Sequence, residues 1–267
     1  MIYKYFFNHI NEHLSFNSAI LMTASVLIVG YVWIYLRTSR KCKMIDLVNK
    51  PHRILIITAH PDDECMFFGP TIKELTKNSN VQVYLMCLSD GNYEGKGTIR
   101  ISELYKSCKI LGMKEENILV CKNGNFLDNP NVYWETTILA DKISEHAEKL
   151  GVDILLTFDN YGVSGHRNHI SIYMAFVYLM YNKTLPNECC FYTLDSVNIV
   201  RKYIKCLDNL FNDQTDLKYM LLPTEQDSIN KAMQAHSSQY VWFRKLFMRF
   251  SRYKIVNTYT EISKNNL

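Results

Sequence analysis

Short apolar runs alternate with longer amphipathic segments along the chain from residue 52 onwards. The first run, Ile54 to Thr58, is β-branched and bounded by polar residues, which is typical of a strand buried in a parallel sheet. Segments such as 98–111 place apolar residues three or four positions apart, the spacing of one helical face. The predicted strands are 53–58, 81–88, 118–121, 154–157 and 191–194, and the predicted helices lie near 66–77, 98–111, 133–150 and 168–181.

Strands that alternate with helices of this length imply βαβ units joined by right-handed crossovers. We therefore predict an α/β fold with a mostly parallel sheet and helices on both faces, within a domain that spans residues 51–267. Between Val197 and Leu222 the pattern is too irregular to order the elements.

A stretch without charge, residues 18–36, precedes this domain. As a helix it would measure about 28 Å, enough to cross the hydrocarbon core of a membrane. Aromatic and basic residues mark its end, whereas the preceding flank has only Lys4, offset by Glu12. The positive-inside bias predicts a single-pass anchor within residues 1–50 and a cytosolic body. The aromatic and basic residues are Tyr31, Trp33, Tyr35, Arg37, Arg40, Lys41 and Lys43.

Two other interpretations of this stretch fit less well. A cleaved signal peptide would have a shorter apolar core that starts earlier and ends in a small-residue cleavage site, which is lacking. A buried helix of a soluble domain would not account for the aromatic and basic flank.

Composition narrows the class of protein. At 267 residues, 48% of them hydrophobic, the chain suffices for one sizeable domain and an appendage. The net charge of +4 is mild and no basic run is interleaved with aromatic residues, so we expect no nucleic-acid partner. The eight cysteines contain no C-x-x-C pair, and we expect reduced thiols of a cytosolic body.

The loop Ala59-His60-Pro61-Asp62-Asp63-Glu64 follows the first predicted strand, at the end where open α/β sheets bind ligands. Burial of the ionised side chains of this loop costs free energy unless an opposite charge offsets it, and a metal ion is the simplest source of that charge. His60 and Asp63, three positions apart, can converge on Zn²⁺ or a related divalent ion. A charge cluster at a helix N-terminus is the alternative. Glu64 has no assigned role; it would orient His60 or favour the next helix.

A second polar loop, Gly165-His166-Arg167-Asn168-His169, follows the fourth predicted strand and opens on the same sheet edge. One of its histidines can supply a third ligand, which leaves open positions, as in catalytic metal sites. Asp62 is then available as a general base, and the other histidine, when protonated, as a stabiliser of an oxyanion. Structural histidines near a helix start are the alternative.

These motifs, A-H-P-D-D-E-C and about 100 residues later G-H-x-N-H, resemble the zinc-dependent de-N-acetylases of the LmbE-like family. The resemblance implies a Rossmann-like fold, a zinc or other divalent cofactor, and removal of acetyl groups from N-acetylglucosaminyl conjugates. Arg100, on the first turn of a predicted helix, is equally compatible with a solvated residue. Residue by residue, the resemblance implies metal ligation by His60, Asp63 and His169, a base at Asp62, an oxyanion-stabilising histidine at His166, and substrate binding by Arg100 and Asn168.

Residues 196–204 and 236–244 resemble the eukaryotic branch of that family that acts on N-acetylglucosaminyl-phosphatidylinositol in the second step of GPI-anchor synthesis. This resemblance implies a glycolipid substrate, a membrane as partner and a location on the cytosolic face of the endoplasmic reticulum. Two alternatives stay open: a de-N-acetylase of a soluble conjugate, and a membrane-tethered binding protein without catalysis.

The segment 240–253 predicts a basic amphipathic helix. Such a helix suits an anionic lipid surface. An outer helix with its apolar face on the sheet is the interpretation we favour, because apolar stripes usually face cores. The basic side holds Arg244, Lys245, Arg249 and Arg252, and the apolar side holds Trp242, Phe243, Leu246, Phe247, Phe250 and Tyr253.

Overall fold

The computed structural model describes residues 17–32, 52–122, 124–182, 189–203 and 215–263. They fall into two units, an N-terminal helix and a body. Helix α1 covers 17–32, and apolar side chains such as Leu27 are exposed along it. Within the described ranges, no helix is both long and apolar enough to cross a membrane. Residues 33–36 of the predicted span, and the predicted boundary at residue 50, lie outside those ranges.

The body contains a seven-stranded sheet in the order β3-β2-β1-β4-β5-β7-β6. The first five strands pair in parallel, whereas β7 runs antiparallel to both β5 and β6. The prediction of a mostly parallel α/β sheet is confirmed. The strands are β1 His52–Thr58, β2 Val81–Cys87, β3 Ile118–Val120, β4 Ile154–Phe158, β5 Cys190–Leu194, β6 Leu217–Met220 and β7 Val256–Glu261.

Helices cover the sheet in two groups. Helices α3, α4 and α9 pack together, and α5 packs against α7. Right-handed crossovers place the two groups on opposite faces, so that Ile54 to Ile57 of β1 are fully buried between them. The helices of the body are α2 Asp63–Met66, α3 Gly69–Leu75, α4 Gly97–Leu111, α5 Thr136–Leu150, α6 Gly162–Gly165, α7 Arg167–Asn182, α8 Ile199–Tyr203, α9 Gln226–Ala235 and α10 Trp242–Phe250.

The helix predicted near 66–77 is two short helices, α2 and α3, and the reason is Pro70. Proline has no N–H to donate to the carbonyl of Met66, so α2 cannot continue through this position. The Asn257 side chain donates to the Phe67 carbonyl at 2.7 Å and so satisfies an acceptor exposed by the break. This break ends α2 directly behind the acidic loop.

The C-terminal helix differs most from its prediction. Helix α10 ends at Phe250, and Arg252 and Tyr253 lie buried in the turn that follows. Met248 is the one fully buried residue of α10. The favoured interpretation, an apolar face packed on the sheet, is therefore wrong for four side chains that the structure leaves exposed: Trp242, Phe243, Leu246 and Phe250.

Candidate active site

The loops after β1 and β4 meet at one edge of the sheet, where they line a cavity of about 310 Å³. Both loops follow strands whose carboxyl ends point to this edge, because β1 and β4 are parallel neighbours. Helix α10 closes one side of the cavity with Phe243 and Arg244. The sequence-predicted residues that line it are His60, Asp62, Asp63, Arg100, His166 and His169.

His60, Asp63 and His169 form a buried cluster whose potential ligand atoms all lie within 4.8 Å of one another. The Oδ2 atom of Asp63 is 3.6 Å from His60 Nδ1 and 3.4 Å from His169 Nε2. Burial opposes ionisation of Asp63, but the two histidines hold the pKa of its carboxyl well below its usual range. The carboxylate is thus ionised and faces two imidazole nitrogens.

The orientation of His169 fits a metal ion. Its Nδ1–H donates to the Gly162 carbonyl at 3.0 Å, which leaves a lone pair on Nε2. Nε2 is buried without a hydrogen-bond partner among the described residues, and the nearest acidic atom is Asp63 Oδ2. A lone pair and a carboxylate oxygen repel each other unless a cation lies between them. Phe158 stacks on the ring at 3.9 Å and fixes its plane.

His60 is oriented from its other nitrogen. Its Nε2 lies 3.0 Å from Asn168 Oδ1 and 3.2 Å from Asp128 Oδ1, so Nε2–H donates and Nδ1 remains for a metal ion. Asn168 is fully buried and its amide also donates to the Val132 carbonyl. This geometry favours a positioning role for Asn168 over the predicted contact with substrate, because the side-chain amide of Asn168 is already bonded to His60 and to the Val132 carbonyl.

Asp62 stands beside the cluster in an unusual backbone conformation, with φ 115°. Its carboxylate Oδ2 lies 2.8 Å from Arg244 Nη2 and 3.5 Å from Arg100 Nη2. Burial raises the pKa of Asp62, and the two guanidinium groups oppose that rise. A non-glycine residue in this region costs about 1–3 kcal/mol and persists only where its surroundings impose it.

Glu64 contacts the backbone at this position. Its Oε2 accepts a hydrogen bond from the Asp62 backbone N–H at 2.9 Å. Its Oε1 accepts from His236 Nε2 at 2.7 Å and from Ser107 Oγ at 2.5 Å. Glu64 therefore holds the Asp62 backbone at the start of α2, which agrees with the suggestion that it favours the N-terminus of this helix. Its partners are Asp62, Ser107 and His236, so the suggestion that it orients His60 is wrong.

Arg100 is buried, which excludes the alternative of a solvated residue. Its guanidinium donates to the carbonyls of Pro61, at 2.7 Å, and Gly91, at 2.8 Å, and pairs with Asp128 at 3.0 Å. Arg100 thus ties the acidic loop to the loop after β2. It also lines the cavity, where substrate binding stays a prediction.

His166 lines the cavity beside both metal-facing histidines, with ring centroids 4.7 Å from His60 and 4.8 Å from His169. Burial and these two neighbours lower the pKa of His166 to about 4. The predicted protonated state is therefore not the resting state near neutral pH. The Asn168 backbone N–H donates to His166 Nδ1 at 3.3 Å, which places the proton of the neutral ring on Nε2 as a hydrogen-bond donor.

Two other groups of potential ligands are present among the described residues, and in each of them a ligand group is already bound by another side chain. In the group of His60, Asp128 and His166, the Asp128 carboxylate is already bound by Arg100. In the group of Glu64, Cys65 and His236, a direct Glu64–His236 hydrogen bond occupies the ligand atoms. The set of His60, Asp63 and His169 fits a divalent ion best.

Sequence reasoning missed three residues of the site: Asp128, His236 and Arg244. Asp128 carried a usable signal, because it lies in the loop after β3 and therefore at the same sheet edge as the motifs. His236 and Arg244 fall in a stretch that carried only the resemblance, and Arg244 was assigned to a solvent-facing basic side. Its actual partner, Asp62, lies 182 positions earlier in the chain.

Comparisons with known proteins agree with this geometry. A family model described as "PIG-L: GlcNAc-PI de-N-acetylase" matches residues 55–180. The chain is 39% identical to N-acetylglucosaminyl-phosphatidylinositol de-N-acetylase of Bos taurus, over 89% of this chain and 95% of the relative. It is 36% identical to a probable enzyme of that name from Dictyostelium discoideum, over 79% of this chain and 93% of the relative.

A solved structure shares the fold: N,N'-diacetylchitobiose deacetylase from Pyrococcus horikoshii, in complex with its inhibitor MPG, has a TM-score of 0.59 and 16% identity. The match covers 82% of this chain and 87% of that one. Sequence similarity over nearly the full length of the relatives, together with the motifs in place at one sheet edge, leads to one conclusion. The chain belongs to the GlcNAc-PI de-N-acetylase family.

Proposed function

We propose that this protein hydrolyses the acetamide of N-acetylglucosaminyl-phosphatidylinositol to give glucosaminyl-phosphatidylinositol and acetate, the second step of GPI-anchor biosynthesis. The observation that carries the proposal is the meeting of His60, Asp63 and His169 beside Asp62 in one cavity. The names of the relatives supply the substrate.

A divalent ion, which we propose to be zinc, would be held by His60, Asp63 and His169, because two imidazoles and a carboxylate suit it. When bound, the ion supplies Lewis-acid polarisation of the acetamide carbonyl and lowers the pKa of water. His60 and His169 are held for this purpose from their outer nitrogens by Asn168 and Gly162.

Asp62 is the base in this proposal. It takes a proton from the attacking water and later returns it to the departing sugar nitrogen as the C–N bond breaks, which leaves acetate and a free amine. Arg100 and Arg244 hold the Asp62 carboxylate in place. His166 lines the same cavity and donates its Nε2–H to the acyl oxygen as negative charge develops there.

We further propose that the chain is anchored in the endoplasmic reticulum membrane with its body on the cytosolic side. Helix α1 is uncharged and exposes its apolar side chains, which favours a lipid environment over water. Basic residues from Arg37 onwards favour a cytosolic body. A two-chain lipid substrate stays in its membrane, so the enzyme must be held beside it.

The test is acetate release by the purified full chain, measured in parallel on N-acetylglucosaminyl-phosphatidylinositol in mixed micelles and on water-soluble N-acetylglucosamine conjugates. We expect release from the glycolipid, abolished by a chelator and restored by Zn²⁺. Release from soluble conjugates alone would favour the soluble-substrate alternative. Absence of release from every substrate, by a chain that holds metal, would contradict the proposal.

A further inference from the structure

Helices α8 and α10 together expose an apolar patch next to the active-site cavity. The side chains of Ile199 and Trp242 are 74% and 72% exposed, so the described residues cover little of either side chain. The two helices touch, and the rings of Tyr203 and Phe247 meet edge to face at 6.4 Å. The patch, called here the α8–α10 patch, consists of Ile199, Val200, Tyr203, Trp242, Phe243, Leu246 and Phe250.

The charged residues of the two helices that form this patch all have one sign. Helix α10 reads WFRKLFMRF and α8 reads IVRKY, so neither contains an acidic residue. Lys245 and Arg249 are exposed on α10, beside the aromatic stripe. Apolar aromatic residues flanked by basic ones are typical of helices that lie in the interface of an anionic membrane. A second copy of the chain is a poor partner, because an isologous contact would bring like charges together.

We infer that the α8–α10 patch docks the body of the protein onto an anionic phospholipid surface. With nine residues, α10 is too short to cross a bilayer, so it lies in the plane of the interface. The inference deepens the proposed function and rests on it for the identity of the lipid. It adds a second contact between protein and membrane, independent of the N-terminal helix.

The place of the patch explains why such a contact would matter. Phe243 belongs to the patch and also lines the active-site cavity. A second cavity of about 520 Å³ lies against α8, with Ile199 and Tyr203 in its wall, and shares Ser164 with the active-site cavity. Docking would therefore hold the opening of the active-site cavity close to the membrane surface, where the sugar of a membrane glycolipid lies.

The experiment uses tryptophan fluorescence of the full chain reconstituted in vesicles of phosphatidylcholine and phosphatidylinositol. The chain has three tryptophans. Trp134 is buried in the body, and Trp33 is removed by Trp33→Phe, so lipid-accessible emission comes from Trp242. Acyl chains brominated near the headgroup quench only on contact. We expect them to quench Trp33→Phe protein, and the loss of this quenching in Trp33→Phe/Trp242→Phe protein identifies its source.

The second part of the experiment introduces acidic residues into the α8–α10 patch. Leu246→Glu/Phe250→Glu in the Trp33→Phe background should abolish the quenching of Trp242, whereas Met174→Glu, at an exposed apolar position of α7, should preserve it. An unquenched Trp242 in vesicle-bound Trp33→Phe protein would overturn the inference. Protection of Trp242 from both brominated lipid and aqueous acrylamide would do so too, since protein would then cover the patch.

Failure of docking and failure of the proposed function are separable. Quenching requires no turnover, and acetate release from detergent-dispersed glycolipid requires no vesicle. We expect Leu246→Glu/Phe250→Glu protein to lose most of its acetate release from vesicles but to retain release from mixed micelles. Equal loss in both assays would contradict docking as the role of the patch.

Discussion

Arg244 reaches from α10 to the carboxylate of Asp62, with Nη2 2.8 Å from Oδ2. The contact joins the last helix of the body to the loop after its first strand. Arg100 approaches the same oxygen from α4 at 3.5 Å, so the proposed base lies between two cations. Both cations stabilise the ionised form, the form that can accept a proton from water.

Removal of Arg244 should therefore impair turnover more than metal binding. We expect Arg244→Ala to lower kcat on micellar glycolipid by about tenfold or more, the effect of ~1.4 kcal/mol on the barrier. Metal content, measured by mass spectrometry, should not change. Lys106→Ala removes an exposed cation from α4 and serves as the control. Unchanged kcat in Arg244→Ala would show that the ion pair has no catalytic consequence.

Replacement of the proposed base gives the clearest separation of binding from chemistry. Asp62→Asn keeps the shape of the side chain but cannot take a proton, so we expect acetate release to fall by about 10²–10⁴-fold. The metal content of the variant should equal that of the unmodified protein, because Asp62 lies outside the ligand set. An Asp62→Asn protein with normal turnover would exclude Asp62 as the base.

The hydrogen bond between Glu64 and His236 should contribute measurably to the thermal stability of the protein. Both side chains are fully buried and bonded to each other at 2.7 Å. Glu64→Gln weakens a buried charged hydrogen bond and loosens the Asp62 backbone, which should cost about 1–3 kcal/mol. A thermal scan in detergent should show Tm lowered by ~2–4 °C for each kcal/mol. An unchanged Tm with reduced activity would mean that Glu64 acts directly in the chemistry.

Gly162 tests how tightly the metal-facing histidine is placed. Its φ is +61°, and an added Cβ would lie 2.8 Å from the Cβ of His169. We expect Gly162→Ala to weaken metal affinity by displacing His169. Gly95 has a similar φ of +73° but open space around it, so Gly95→Ala carries the same backbone strain without the clash. Equal metal affinities of the two variants would contradict a rigid placement of His169.

The sequence pattern was sufficient to predict the five parallel strands of the sheet. Runs such as Ile54 to Thr58 are apolar and β-branched because both faces of a central strand are covered, and this local signal is strong. The antiparallel strands β6 and β7 gave no comparable signal. Asn257 of β7, for example, is buried through hydrogen bonds with the distant residues Phe67 and Thr71, which no local pattern reveals.

The candidate site likewise contains residues that the sequence pattern predicts and residues that it does not. His60 and His169 were predictable as neighbours because each belongs to the segment that follows a parallel strand, at the carboxyl edge where the topology brings such segments together. Arg244 was not, because a basic residue on an amphipathic helix is normally solvated. Its side chain turns inward only because α10 lies over the cavity, a tertiary placement that helical periodicity does not encode.

Zinc titration of chelated protein tests the central claim most directly. The full chain, freed of metal, would receive increasing Zn²⁺ while bound metal and acetate release from N-acetylglucosaminyl-phosphatidylinositol are measured together. We predict that release rises in proportion to bound metal up to one ion per chain, and that His169→Ala abolishes both. Full acetate release from a chain that holds no metal, or from His169→Ala protein, would contradict the account.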